Sequence, residues 1–164
     1  MTKNLKEYIK KNLPYYGSIT RKYRFTNPIK DKAWSLLSDF VRCRDVIMYG
    51  RCVSSGKKIT DYRTCDAGHF YSMGGHGALI GFDVLNVHAQ SKNDNQLSSM
   101  HTGANFEKEL KRRYGKKLLN ELKEISHILV KADDLFFLNK IEEVWKLFKE
   151  LKLEKPDFDY PEYL

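Results

Sequence analysis

Five of the chain's ten glycines, Gly68, Gly74, Gly75, Gly77 and Gly81, fall between residues 68 and 81. Glycine weakens helix interiors by about 1 kcal/mol each and weakens strands too, so long regular elements are not expected through this stretch. It predicts a loop of unusual backbone geometry, or one that approaches something closely. The flanks read as short strands. Lys58-Ile59-Thr60-Asp61-Tyr62-Arg63-Thr64-Cys65 is rich in β-branched and aromatic residues, and Gly56-Lys57-Lys58 supplies a turn before it, predicting a hairpin over residues 51–72. A second short strand is expected around Asn86-Val87-His88-Ala89-Gln90, with a helical segment starting near Lys92.

The rest of the chain has helical period. A short helix is expected over residues 3–12. Asp31 can cap another running to about Arg44, with Ala33, Leu36, Leu37, Phe40 and Val41 at helical spacing. Leu and Ile recur at three- and four-residue steps from Phe106 to Tyr114 and from Lys116 to Lys131, with Gly115 as the break. Asp133 can cap a last helix through Leu135, Phe136, Leu138, Ile141, Val144, Trp145, Phe148 and Leu151. Its apolar face, with Phe137, Val144, Trp145 and Phe148, can serve a homodimer interface or, more simply, intramolecular core. The class is α+β: a small two-stranded core embraced by helices.

Charge is distributed unevenly. Residues 1–105 hold 16 basic and 8 acidic side chains, whereas residues 106–164 hold 13 of each. The net +8 therefore belongs to the first two thirds, where Lys and Arg interleave with Tyr8, Tyr15, Tyr16, Tyr23, Phe25 and Trp34. Cations among stackable rings suit a nucleic acid, whose phosphates and bases they match, although a solvated basic arm is the plainer reading. Arg21, Lys22, Arg24, Lys30, Arg42 and Arg44 are the candidate DNA contacts. Apolar runs are far short of the roughly 20 residues of a membrane span, and the N-terminus lacks a signal-like apolar core. Three cysteines, Cys43, Cys52 and Cys65, make an odd number without a C-x-x-C pair. Free thiols in a reducing cytoplasm are the expectation.

The residues able to carry chemistry lie within one short span: Asp66-Ala67-Gly68-His69, then Asn86-Val87-His88-Ala89-Gln90, then Asn93-Asp94-Asn95. A histidine neutral for much of its population near pH 7 can take a proton from water. Asn95 offers a hard carbonyl oxygen suited to a magnesium-like ion, and Asn86 can orient the histidine by a hydrogen bond. Each has an ordinary alternative: His69 as a turn or core residue, Asn86 and Asn95 as turn and cap residues. His88 can face either side of its strand, while His76 and His101 read as solvated.

The runs Asp66-Ala67-Gly68-His69-Phe70, Phe82-Asp83 and Asn86-Val87-His88-Ala89-Gln90, with Arg42-Cys43-Arg44-Asp45 and Cys52-Val53-Ser54-Ser55-Gly56-Lys57 upstream, resemble the NinG (Rap) family of phage recombination endonucleases. The likeness spans roughly residues 31–150. It implies a ββα-metal (HNH-like) core at about 51–100, in a nuclease domain over 31–155. A basic arm at 1–30 precedes that domain, helices at 106–152 complete it, and an acidic tail at 156–164 follows. It further implies one catalytic Mg²⁺ or Mn²⁺ and action on branched DNA such as Holliday junctions. His69 then matches the family's general base and Asn86 the middle polar residue. Asn95 matches a metal ligand, with Asp66 assisting the metal or holding the turn. A non-enzymatic DNA-binding protein and a nonspecific nuclease are the alternatives.

The chain departs from the family at its zinc knuckles, which usually hold two C-x-x-C pairs. Here they read Cys52-Val53-Ser54-Ser55 and Ser91-Lys92-Asn93-Asp94, with one thiol where four are expected. A structural zinc closes with four strong ligands. The expectation is that structural zinc is absent, with side-chain hydrogen bonds or apolar packing in its place, and that the activity survives.

Overall fold

The computed structural model describes residues 26–96 and 103–151. Helix α1, Pro28–Tyr49, starts three residues before the expected Asp31 cap. Asn27 explains the shift: its Oδ1 accepts from Ile29 N at 2.9 Å and Lys30 N at 3.0 Å. Proline is preorganised for the first helical position, so Pro28 opens the helix directly after that cap. The expected helix over 3–12, the basic arm and the acidic tail lie outside the described residues, apart from the arm's last few positions.

The chain divides into two units. Residues 26–36 and 133–151 form the first, made of the beginning of α1 and the last helix. That helix, Asp134–Glu150, is capped as expected: Asp133 Oδ1 accepts from Phe136 N at 3.0 Å. Asn27 Nδ2 donates to Asp134 Oδ1 at 2.9 Å, tying the two helix starts together. Phe137, Val144, Trp145 and Phe148 are buried within the single chain, as are Ala33, Trp34 and Leu36. The apolar face is intramolecular core rather than a surface left for a second copy.

Residues 37–132 form the second unit. Its sheet has two antiparallel strands, β1 (Cys65–His69) and β2 (Val87–Ser91), in the register Cys65↔Ser91, Ala67↔Ala89, His69↔Val87. The expected hairpin over 51–72 is reduced to a single bridge, Arg51↔Lys58. The run into β1 does not extend as a strand, because Asp61 accepts from Arg63 N at 2.8 Å and caps a 3-10 turn at Tyr62–Thr64. Local side-chain bonding wins there over β propensity. Two single-turn helices, α2 (Met73–His76) and α3 (Ala78–Gly81), occupy the glycine-rich loop, and α4 (Lys92–Gln96) follows β2 directly.

Helix α5, Gly103–Ser126, is interrupted at Gly115. That residue has φ 83°, a left-handed conformation other residues resist, so the expected break is a change of helix direction. The helix ends at Ser126, short of the expected Lys131. On each side of the break it buries one stripe, Phe106 and Leu110 and then Leu118 and Leu122, against Val53 and Ile80. A smaller cluster of Cys52, Ile59, Cys65 and Ala89 lies beside the sheet. The architecture is α+β, as the patterning predicts.

Candidate functional site

Strand β1 ends at His69, whose ring is half-buried. His69 Nε2 lies 2.9 Å from the Gly81 carbonyl oxygen at the end of α3. A carbonyl can only accept, so Nε2 carries the proton and Nδ1 becomes the basic nitrogen. The glycine-rich loop thus has a definite use, returning a backbone acceptor to the last residue of the strand.

Asn86 is completely buried. Its Nδ2 donates to Tyr71 O at 3.0 Å and Ile80 O at 2.9 Å, and its Oδ1 accepts from Tyr71 N at 2.8 Å. The expected bond from Asn86 to the histidine is therefore replaced by bonds to the loop. Because Ile80 precedes Gly81, Asn86 fixes the segment that supplies the histidine's acceptor, one step removed from the ring.

Asp66 and Asn95 do meet: Asn95 Nδ2 donates to Asp66 Oδ2 at 3.1 Å, joining β1 to α4. A carboxylate beside an amide fits a hard divalent ion, which commonly takes one or two protein oxygens and keeps several waters. Among the described residues there is no group of three or more His, Cys, Asp or Glu that could hold a metal. Any ion here would rest on this pair and water. Asp66 and His69 are three residues apart, so alternation sends them to opposite faces of β1, with His69 at its end.

The glycine between them is forced. A Cβ on Gly68 would lie 2.0 Å from Gln90 Oε1 and 3.0 Å from its Cδ. Gln90 is buried and donates from Nε2 to Ser54 Oγ at 2.6 Å, so it cannot swing aside freely. The motif therefore carries glycine beside histidine because the glutamine of the second motif crosses over it.

Arg42 and Arg44 are not phosphate contacts, contrary to expectation. Arg42 is buried and donates to Ser38 O, Tyr62 O and Cys65 O, and it pairs with Asp39. Arg44 is buried and donates to Val84 O at 2.7 Å, Val87 O at 3.0 Å and Asp45 Oδ1 at 2.7 Å. Charge counts cannot tell a framework arginine from a surface one. Lys30 is half-buried on α1, 5.8 Å from the Phe137 ring centroid, and Arg21, Lys22 and Arg24 lie outside the described residues. Exposed cations do gather at the Cys65–Ser91 end of the sheet: Arg51, Lys57, Lys58, Arg63 and Lys92. The sequence signal was their placement just before β1, just after β2 and around the Gly56 turn.

Arg44 belongs to a buried ionic group centred on Asp45, which is 0% exposed. Asp45 Oδ2 accepts from Ala89 N at 2.9 Å and Arg113 Nη1 at 3.3 Å, and His88 Nδ1 lies 2.9 Å from it. Burial pushes the Asp45 carboxyl up, but the charges and hydrogen bonds of His88 and Arg44 outweigh it. They hold the group well below the usual carboxylate range. His88 is completely buried and so is a core residue; burial pushes its imidazole down against the pull of Asp45. The three cysteines are buried, and burial pushes the Cys65 thiol up to about 11, far from nucleophilic.

No helix among the described residues is long and apolar enough to cross a membrane. No curated protein and no solved structure gives a significant match to the chain. The sequence model of the family described as Bacteriophage Lambda NinG protein does match, over residues 20–152. That covers the sheet, the glycine-rich loop and the helices on both sides of them, and the chain belongs to the NinG family.

Proposed function

We propose that the protein is a metal-dependent DNA endonuclease acting on branched, recombination-derived DNA. The observation that carries this reading is the His69 Nε2 to Gly81 O contact at 2.9 Å, which assigns the lone pair to Nδ1. His69 Nδ1 takes a proton from water as the water oxygen bonds to phosphorus; the P–O bond to the leaving sugar oxygen breaks, and that oxygen takes a proton from solvent. His69 closes β1 at one end, and the Asp66–Asn95 pair lies towards the Cys65–Ser91 end on the opposite face. A Mg²⁺ or Mn²⁺ would be held by that pair and water, and when bound would supply charge neutralisation to a phosphate beside it. Asn86 positions the histidine through the 71–81 loop. The exposed cations at the Cys65–Ser91 end hold the DNA backbone, so binding falls as salt rises.

Support also comes from membership in the NinG family, to whose motif the resemblance assigns His69, Asn86 and Asn95. The test is cleavage of a labelled four-way junction and of a linear duplex with the same sequence, in Mg²⁺ or Mn²⁺. His69→Ala should lower cleavage by about 10²–10⁴-fold and leave binding intact. Asp66→Ala and Asn95→Ala should raise the metal concentration required. Binding by the wild-type chain without cutting in either metal would leave a DNA-binding protein that is not an enzyme. Equal cutting of junction and duplex would leave a nonspecific nuclease.

A further inference from the structure

Two short turns converge on one oxygen atom. Cys52 and Ser55 come from the turn before β1, and Ser91 and Asp94 from the junction of β2 with α4, each pair separated by two residues. Asp94 Oδ2 accepts from Cys52 Sγ at 3.2 Å, Ser55 Oγ at 2.5 Å and Ser91 Oγ at 2.5 Å. The periphery is closed as well. Ser91 N donates to Cys52 Sγ at 3.2 Å, and Asp94 N donates to Ser91 Oγ at 3.2 Å. Cys52 N donates to Lys57 O at 2.8 Å, Gly56 N to Cys52 O at 3.0 Å, and Val53 N to Ala89 O at 3.0 Å.

Two pairs with this spacing, meeting from separate turns, are how a tetrahedral zinc site is assembled. The side chains present do not fit zinc. One thiol, one carboxylate and two neutral hydroxyls lack the four strong ligands such a site needs, and the carboxylate oxygen itself occupies the meeting point. The polarity is inverted. A cation gathers lone pairs, whereas an anionic oxygen gathers protons, and hydroxyl and thiol groups are donors.

We propose that the Asp94 carboxylate takes the mechanical place of a metal ion, clamping the 52–57 turn to β2 and α4 by hydrogen bonds alone. The clamp needs donors at positions 52, 55 and 91 and an ionised acceptor at 94. It is independent of whether the protein cleaves DNA, since neither the thiol nor the hydroxyls touch His69, Asp66 or Asn95 in making it.

The full-length protein, purified without chelator, should contain no stoichiometric zinc, and EDTA should leave its Tm unchanged. Ser55→Ala and Ser91→Ala should each lower Tm by at least roughly 2–4 °C, since each removes the hydroxyl's bond to Asp94 Oδ2 and a backbone bond to the same hydroxyl. The triple variant Ser55→Cys/Ser91→Cys/Asp94→Cys, with Cys52 retained, should take up one Zn²⁺ per chain and acquire a Tm that falls on chelation. One zinc per wild-type chain, or a wild-type Tm lowered by EDTA, would overturn the proposal. Serine variants as stable as wild type would overturn it too. These measurements read stability and metal content, so they stand apart from any result on cleavage.

Discussion

Two aspartates hold β2 in place by opposite means. Asp45 is sealed from water, and its partners include Arg44 and Arg113, with Ala89 N supplied by the strand. Asp94 is partly exposed and gathers only neutral side-chain donors, with Ser91 supplied by the same strand. A buried ion pair gains strong Coulomb attraction only by committing each charge to a partner, so losing one leaves another stranded. A hub of hydroxyls beside water loses little more than the hydrogen bonds removed. The first clamp is strong and intolerant of change, the second modest and tolerant. The tolerant one is where this chain departs from its family's cysteine pattern.

The largest effect should come from breaking the intolerant clamp. Asp45→Ala leaves Arg44 and Arg113 buried without their shared carboxylate, and should cost about 3–5 kcal/mol in denaturant unfolding. Arg113 already has one buried nitrogen, Nη2, without a hydrogen-bond partner among the described residues, so little slack remains to re-pair it. A cost below about 1 kcal/mol would mean that the ionic group is incidental to stability, and the contrast with Asp94 would collapse.

Much of this arrangement is legible in the sequence, and the failures have a common physical cause. The break at Gly115, the Asp133 cap and the second strand, expected around 86–90 and found at 87–91, follow from local chemistry, which one chain segment decides by itself. The apolar stripes of α5 and of the last helix follow from periodicity for the same reason. Arg42 and Arg44 read as phosphate contacts because a charge count has no access to Val84 O, Tyr62 O or Asp45, groups brought near only by folding. The expected 51–72 hairpin fails because β1 pairs across the glycine-rich loop, and Asp61 holds the preceding segment in a turn. The meeting of Cys52, Ser55, Ser91 and Asp94 is half visible: the family resemblance marks the positions, but only the structure shows the carboxylate at their centre. At the candidate site, the bond from Asp66 to Asn95 and the Gly81 contact of His69 both depend on pairings far apart in sequence.

Between Ala89 and Ser91, the residues that meet the two clamps, stands Gln90, and its fit over Gly68 tests how closely β2 is held. Gly68→Ala places a methyl group against the Gln90 amide and should cost about 1–3 kcal/mol. In a Gln90→Ala background the same change should cost clearly less, because the colliding amide is gone and only the close contact with the residue 90 Cβ, 3.1 Å, remains. Additive losses in the double variant would show that β2 can shift away from β1, and that neither aspartate fixes its position.

The smallest effect is the most direct comparison of the two carboxylates. Burial raises both pKa values. His88 and Arg44 outweigh it at Asp45, and Ser55, Ser91 and Cys52 outweigh it at Asp94. Both end below their ordinary values, so each contributes stability that is present above the unfolded carboxyl pKa of about 3.9 and lost as pH falls through the folded one. Hydrogen bonds from neutral donors, with the Lys57 charge beside them, lower Asp94, whereas charged partners take Asp45 well below the usual range. On acidification the Asp94 hub should therefore protonate first, with Asp45 still ionised. Carboxyl carbon shifts followed by NMR from pH 6 downward, expressed as about two separate midpoints, would show that order. Ser91→Ala should move the Asp94 midpoint up towards its ordinary value without moving that of Asp45. A common midpoint, or Asp45 titrating first, would mean that the charged partners hold β2 no more firmly than the hydroxyls do.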